Sequence, residues 1–307
     1  MAVPYIDQGP ALPIGGIRGA VLKWYAGHGR DLPWRGVRDP YAIAVSEVML
    51  QQTQVERVEP KYREFLARFP TWEALASAGL GQVLRVWAPL GYNGRAVRLH
   101  QLAQWVVAHG GRLPSDERTL RALPGVGTYT ASALAAFAFG HLTTVIDTNV
   151  RRVLARALLG EPYASPAIDR RLRPLARDLV PTEAPGQWHE ALMDLGATVC
   201  TTRRPACSAC PLTDVCLARP IVMDGVPPRR GTPGEVFRGS RRYYRGRFLA
   251  ELRGLPDGEV LPLDDLGPRL RPDYKPGQAP WLRDLARRLV ADGLVRYDGE
   301  AETVGLP

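Results

Sequence analysis

At Leu123-Pro124-Gly125-Val126-Gly127-Thr128-Tyr129-Thr130 a long succession of helical patterns is broken by two glycines separated by one apolar residue. The flanking segments, 115–122 and 128–140, both have helix-favouring composition. Such glycines permit a tight turn whose backbone N–H groups point outward, at the start of a helix beginning near Thr128. Amides and a helix N-terminus offer positive potential together, so the turn grips a phosphate without reading bases. A Gly-x-Gly alone is weak evidence and serves as an ordinary helix connector.

Set in Leu-Pro-Gly-Val-Gly, however, the turn has the pattern of a helix-hairpin-helix, and its surroundings are helical. Apolar spacing or helix-favouring composition recurs at 15–28, 41–51, 55–68, 73–77, 80–88, 94–109, 115–122, 128–140, 148–159, 166–180 and 184–198, divided by Pro, Gly and Asp signals. No alternating strand is expected before about residue 290. The run Pro227-Pro228-Arg229-Arg230-Gly231-Thr232-Pro233-Gly234 reads as part of a basic linker over 221–240. Beyond it, 241–307 carries helical patterns at 241–253, 262–270 and 280–291, then Gly293-Leu294-Val295-Arg296-Tyr297, a polar turn at Asp298-Gly299, and Thr303-Val304. Three helices and a hairpin suit a small winged-helix-like module, and equally a helical cap packed on the main domain. Arg241, Arg242, Arg245, Arg247, Arg283, Arg287 and Arg288 give either arrangement a positive face.

The composition points to a globular chain with a polyanionic partner. Its 307 residues suffice for two domains and a smaller third. The formal net charge is +9, and lysine occurs only at Lys23, Lys61 and Lys275, the other basic residues being arginine. A bias toward arginine codons contributes to this balance, but the excess charge still calls for a partner. No apolar run approaches the ~18 residues of a membrane span. The stretch Met1 to Pro10 lacks a basic start followed by an apolar segment, so a cytoplasmic, nucleoid-associated location is expected rather than export.

All four cysteines fall in Cys200-x6-Cys207-x2-Cys210-x5-Cys216, beside Thr201-Thr202-Arg203-Arg204. Thiols packed so closely in a chain without an export signal are better explained by a metal or cluster than by disulfides. Four thiolates suit tetrahedral zinc or an iron–sulfur cluster. The zinc pattern has two close pairs separated by a longer loop. Here single cysteines flank one central pair on a compact loop, so a 4Fe–4S cluster is preferred, with zinc as the alternative.

Two carboxylates attract notice. Glu47 lies in Val45-Ser46-Glu47-Val48-Met49-Leu50, a largely apolar helical segment. Burial there would disfavour its charged form and fit it to deliver a proton; an exposed Glu on an amphipathic helix is the plainer reading. Asp147 precedes Thr148-Asn149-Val150-Arg151-Arg152-Val153-Leu154 and is placed to cap that helix. A cap can also hold a carboxylate at the mouth of a cleft.

Leu-Pro-Gly-Val-Gly at 123–127, an Asp at 147 and the cysteine loop together resemble the iron–sulfur helix-hairpin-helix DNA glycosylases, the superfamily of endonuclease III. Leu32-Pro33-Trp34-Arg35, Ser46 through Val55, Leu90-Gly91-Tyr92 and Met193-Asp194-Leu195-Gly196-Ala197 narrow the resemblance to the MutY-type adenine DNA glycosylases, over residues 18 to 218. The resemblance implies a mainly α, two-lobed fold. The iron–sulfur lobe is expected at 1–36 and 147–220, the six-helix lobe with the helix-hairpin-helix at 37–146, and the small C-terminal module at 241–307. It implies that Glu47 protonates N7 of adenine and that Asp147, supported by Asn149, faces the sugar and stabilises an oxocarbenium-like cation. Purine N-glycosidic cleavage divides its labour between two carboxylates much as glycosidases do. Bifunctional relatives carry a Lys where this chain has Tyr129, and none of its lysines lies near the hairpin in sequence, so base removal without strand cleavage is expected. Gln52 and Tyr92 match residues that wedge into the duplex as the base flips out. Trp34, Arg35, Leu50 and Glu190 match the base pocket. From sequence alone Trp34 and Leu50 read as core residues, Arg35 and Glu190 as a surface pair, and Tyr129 as packing beside the hairpin.

The implied substrate is double-stranded DNA with adenine opposite 8-oxoguanine or guanine. The implied protein is a monomer that hands its product to abasic-site repair enzymes, with Leu123, Gly125, Val126, Gly127, Arg203 and Arg204 on the DNA backbone. Two departures stand out. Residues 222–307 are too few and too helical for the Nudix-related domain common in the family, and Asn93 occupies a position where a second Tyr is common. A thymine or uracil mismatch glycosylase of the same superfamily, or a non-catalytic binder of mismatched DNA, are the alternative readings.

Overall fold

The computed structural model describes residues 14–225 and 236–307. The centre of the expected basic linker, 226–235, lies outside the described residues, as do residues 1–13. Twelve helices come first among the described residues: α1 (Ile14–His28), α2 (Pro40–Leu50), α3 (Val55–Arg68), α4 (Trp72–Ser77), α5 (Leu80–Trp87), α6 (Gly94–Ala108), α7 (Glu117–Leu120), α8 (Thr128–Phe137), α9 (Thr148–Leu159), α10 (Asp169–Asp178), α11 (Pro185–Thr198) and α12 (Arg219–Met223). They are followed by α13 (Arg241–Arg253), β1 (Val260–Pro262), α14 (Leu263–Leu270), α15 (Ala279–Ala291), β2 (Arg296–Asp298) and β3 (Thr303–Gly305). The mainly α expectation holds. The chain forms two compact units, one of 14–43, 114–121 and 126–225, the other of 44–113, 122–125 and 236–307.

In the first unit α9 shows how sequence becomes structure. Asp147 adopts extended backbone and accepts from Val150 N, satisfying one of the free amides at the helix start. Val150, Val153, Leu154 and Ala157 then recur on one face and are buried. Gly160, at φ +65°, ends the helix in the left-handed conformation that glycine adopts most easily. That face packs with Val21 of α1 and with Trp188, Leu192 and Leu195 of α11 in one core. Gly196 sets how closely α11 approaches α9: a Cβ there would lie 2.6 Å from Cβ of Asn149.

In the second unit α4 packs on α6, and α5 on both α3 and α6. Phe65 meets Trp87 edge-on at 6.0 Å. The last 67 described residues have the order helix, strand, helix, helix, hairpin, with β3 central and antiparallel to both neighbours. Leu261 and Tyr297 both pair with Val304. This is the winged-helix arrangement, one of the two expected. Strand β1 was not expected; three residues with only Leu261 buried are too few to show alternation. Helix α12 also went unread. The module is one piece with the rest of its unit: α13 packs on α5, Gly81 N donates to Pro307 O at 3.1 Å, and Arg85 donates to Leu255 O at 2.7 Å and pairs with Asp257.

Candidate functional site

The hairpin is built as its glycines foretell. Gly125 has φ +72°, and a Cβ on it would stand 2.6 Å from Cβ of Arg98, so both conformation and space demand glycine. Leu123 and Val126 are buried as anchors, while Gly125 and Gly127 are exposed. Gly127 precedes α8 with no side chain capping its first amides. Tyr129, in the first turn of α8, is partly buried against Ala133, Ala136 and Val145.

Asp147 is held from two sides. Its Oδ1 accepts from Val150 N at 2.6 Å and its Oδ2 from Asn149 Nδ2 at 3.1 Å. Burial pushes its carboxyl above the ordinary range, against the pull of these hydrogen bonds. Asn149 is oriented in turn by Arg152, which donates to Asn149 Oδ1 at 2.8 Å, Gly196 O at 2.6 Å and Cys200 O at 2.6 Å.

Arg35 and Glu190 do pair, at 3.4 Å, but the pair is mostly buried, with 13% and 15% of the side chains exposed, rather than an open surface pair. The reason is Asp194, which is fully buried on α11 and binds Arg35 at 2.7 Å and Arg30 at 2.7 Å. Burial works against the Arg35 cation, but Asp194 and Glu190 outweigh it and hold its pKa above the usual value. Tyr25 completes the set by donating to Glu190 Oε2 at 3.1 Å. Arg30 and Tyr25 were not singled out from sequence, and Asp194 was read only as part of the matching stretch Met193–Ala197, with no role given to it. Trp34 is buried in the same unit.

In the second unit Glu47 is 7% exposed on a helix whose residues Tyr41 to Met49 are all buried. Leu50 is partly buried at its end. Beyond it Gln52 (φ +57°) and Tyr92 (φ +45°) occupy the left-handed region that side chains rarely adopt, and both are exposed. Backbone strain of this kind gathers at functional positions. Arg95, also missed from sequence, holds both turns: it is buried and donates to Val48 O, Met49 O, Gln51 O and Gly91 O, with Tyr92 and Trp87 against its guanidinium. Burial lowers its pKa to about 10.

The four cysteines line one small cavity together with Arg156, Val199 and Val222. Burial pushes the Cys210 thiol up to about 11, so a cation is needed to keep it ionised. No three His, Cys, Asp or Glu side chains among the described residues converge on a single ion. Four cysteine sulfurs lining one cavity match the donor set of an iron–sulfur cluster. Arg156 spans the loop through Thr201 O at 2.8 Å and Thr202 O at 3.1 Å, leaving Arg203 and Arg204 exposed.

Within the first unit, Gly127 thus opens α8 and a buried carboxylate caps α9. A family model described as HhH-GPD superfamily base excision DNA repair protein matches residues 45–227, and the chain belongs to that superfamily. It is 42% identical over 287 residues to an adenine DNA glycosylase of Mycobacterium tuberculosis, covering 90% of this chain and 88% of that one. Its fold is similar to a solved thermostable thymine-DNA glycosylase, with TM-score 0.63, 30% identity, and coverage of 68% of this chain and 97% of the other. A non-covalent endonuclease III–DNA complex shares the fold at TM-score 0.58 and 21% identity, covering 70% of this chain and 100% of that one.

Proposed function

We propose that this chain is a monofunctional adenine DNA glycosylase, which removes adenine mispaired with 8-oxoguanine or guanine and leaves an abasic site for downstream repair enzymes. The observation that carries the reading is the pair of carboxylates, Glu47 buried in α2 and Asp147 capping α9, in a chain 42% identical to an adenine DNA glycosylase. Glu47 gives its proton to N7 of the flipped adenine. The C1′–N9 bond then breaks with its electron pair passing to the base, and the sugar becomes an oxocarbenium-like cation. Asp147 stabilises that charge, with Asn149 holding its second oxygen. Water adds at C1′ and loses a proton, which balances the one carried away by adenine. Arg35, held by Glu190 and Asp194, and Trp34 contact the base by family resemblance, as does Leu50, and Gln52 and Tyr92 fill the gap left in the stack. Tyr129 stands where strand-cleaving relatives have Lys, so no amine forms a Schiff base there.

Cys200, Cys207, Cys210 and Cys216 would hold a 4Fe–4S cluster, whose contribution is to fix the loop that presents Arg203 and Arg204 to the DNA backbone. A thymine mismatch glycosylase is the second reading, favoured by the 30% identity with a structure of that kind. It is disfavoured by Glu47, since a pyrimidine has no N7 to protonate.

Labelled duplexes with A opposite 8-oxoguanine, A opposite G, T opposite G and U opposite G test the assignment. Alkali-dependent cleavage at A alone supports it; cleavage at T or U, or none anywhere with binding intact, overturns it.

A further inference from the structure

A cleft of about 1860 Å³ opens within the second unit. One wall is Gln51–Gln52 and Pro89–Arg98, the other runs from Phe237 through the first turns of α13, and the turn after α15 lies beside them. Small-molecule sites occupy roughly 300–1,000 Å³, so this space suits an extended polymer. Its lining includes Arg57, Arg95, Arg98, Arg241, Arg242 and Arg245 against the single acid Asp292. Arg57 and Arg95 are spent on backbone carbonyls, and Arg245 on Asp292. Arg98, Arg241 and Arg242 are exposed and form no ion pair with a carboxylate among the described residues. The strained Gln52 and Tyr92 lie on the same lining. Arg253 of α13 donates to Asn93 Oδ1 at 2.6 Å, so the module is tied to the wall that carries Tyr92, at the position where this chain departs from the family's second Tyr.

We propose that the C-terminal module is a phosphate clamp, with Arg241 and Arg242 at the start of α13 and Arg98 across the cleft neutralising backbone phosphates of the duplex that Gln52 and Tyr92 enter. The inference rests on the glycosylase reading and gives the winged-helix module a definite orientation on DNA. In helix-turn-helix modules the second helix of the pair enters the major groove; that helix here is α15, with Arg287 and Arg288 exposed. The cleft instead takes from α15 only its C-terminal end, Val290 and Ala291. Contact through α13 is to phosphates and carries no base preference.

Fluorescence anisotropy over a salt series, with one duplex carrying A opposite G and one fully paired, separates the two orientations. The double variant Arg241→Ala/Arg242→Ala is compared with Arg287→Ala/Arg288→Ala, which removes the same formal charge, although Arg288 pairs with Asp284 at 2.8 Å. The first is expected to lower the slope of log affinity against log salt by about 1.8 on both duplexes, about 0.9 for each lost phosphate contact. The second should leave the slope unchanged, and Arg98→Ala, on the opposite wall, should lower it by about 0.9. Equal losses from the two pairs, a larger loss from the α15 pair, or an unchanged slope in the α13 pair overturns the proposal. Wild-type chain that binds neither duplex overturns the glycosylase reading as well, whereas normal wild-type binding and excision with an unaltered α13-pair slope overturns this proposal alone.

Discussion

Asp147→Asn separates the two jobs of that carboxylate. Asn caps helices about as well as Asp, and its side-chain oxygen can take over the bond from Val150 N, so the cap on α9 should survive; its amide nitrogen cannot accept from Asn149 Nδ2, and losing that one bond should cost about 0.5–1 kcal/mol. Asp147→Ala has no acceptor for that amide or for Asn149 Nδ2, and should cost about 1 kcal/mol or more. The charge acts in the opposite direction. Burial raises the Asp147 pKa, so the folded chain holds that proton more tightly than the unfolded chain. The wild type is therefore penalised as pH rises from the unfolded value of about 3.8 through the raised folded one, and the penalty persists at neutral pH. The Asn variant lacks this dependence and should gain on the wild type across the same window. Its excision rate should fall about 10²–10³-fold, the usual loss when a charge aimed at the transition state is removed. Urea melts from pH 3.5 to 8 and single-turnover excision of A opposite G read the two effects. An Asn variant within tenfold of the wild-type rate refutes the charge role, and one as unstable as the Ala variant refutes the cap.

Glu47→Gln should abolish excision while leaving duplex affinity near wild type, read by single-turnover kinetics beside anisotropy; loss of both together would point to a structural Glu47. Asp194→Ala strands Arg30 and Arg35 without their buried partner and should lower the unfolding free energy by about 3–5 kcal/mol in urea melts. Cys210→Ser should reduce bound iron and the visible iron–sulfur absorbance and loosen the loop at Arg203, measured by metal analysis and limited proteolysis; unchanged iron content would remove Cys210 from the ligand set. Borohydride added during turnover should trap no covalent protein–DNA complex, because no amine occupies the position of Tyr129; a trapped complex would make the enzyme bifunctional.

Much of the helical framework was legible because its signals are local. The spacing at 55–68, 148–159 and 241–253 became helices with those bounds, and the Gly125 turn needed the positive φ that its sequence foretold. Legibility failed where meaning depended on neighbours remote in sequence. Arg35 and Glu190 looked like a surface pair because nothing in their spacing reveals that Asp194 comes between Arg30 and Arg35 and draws them inward. Arg95 carried no signal of its own, since its partners are carbonyls of a helix end more than forty residues earlier. Strand β1 is short and is recognisable only by its pairing with β3.

The residues alone determine the chemistry this chain holds: a hairpin that must be glycine, one acid within a helix and another placed to cap one, four cysteines on one loop, and an arginine-rich charge balance. Residue type, period and local backbone preference reach no further than a few positions along the chain. Tertiary structure decides which acids are buried and which arginines are already spent on carbonyls or carboxylates. It also makes a winged-helix module one piece with α5 and α6, lining a cleft with the start of α13. Desolvation and charge compensation depend on which surfaces meet in space, and chain order does not encode that directly.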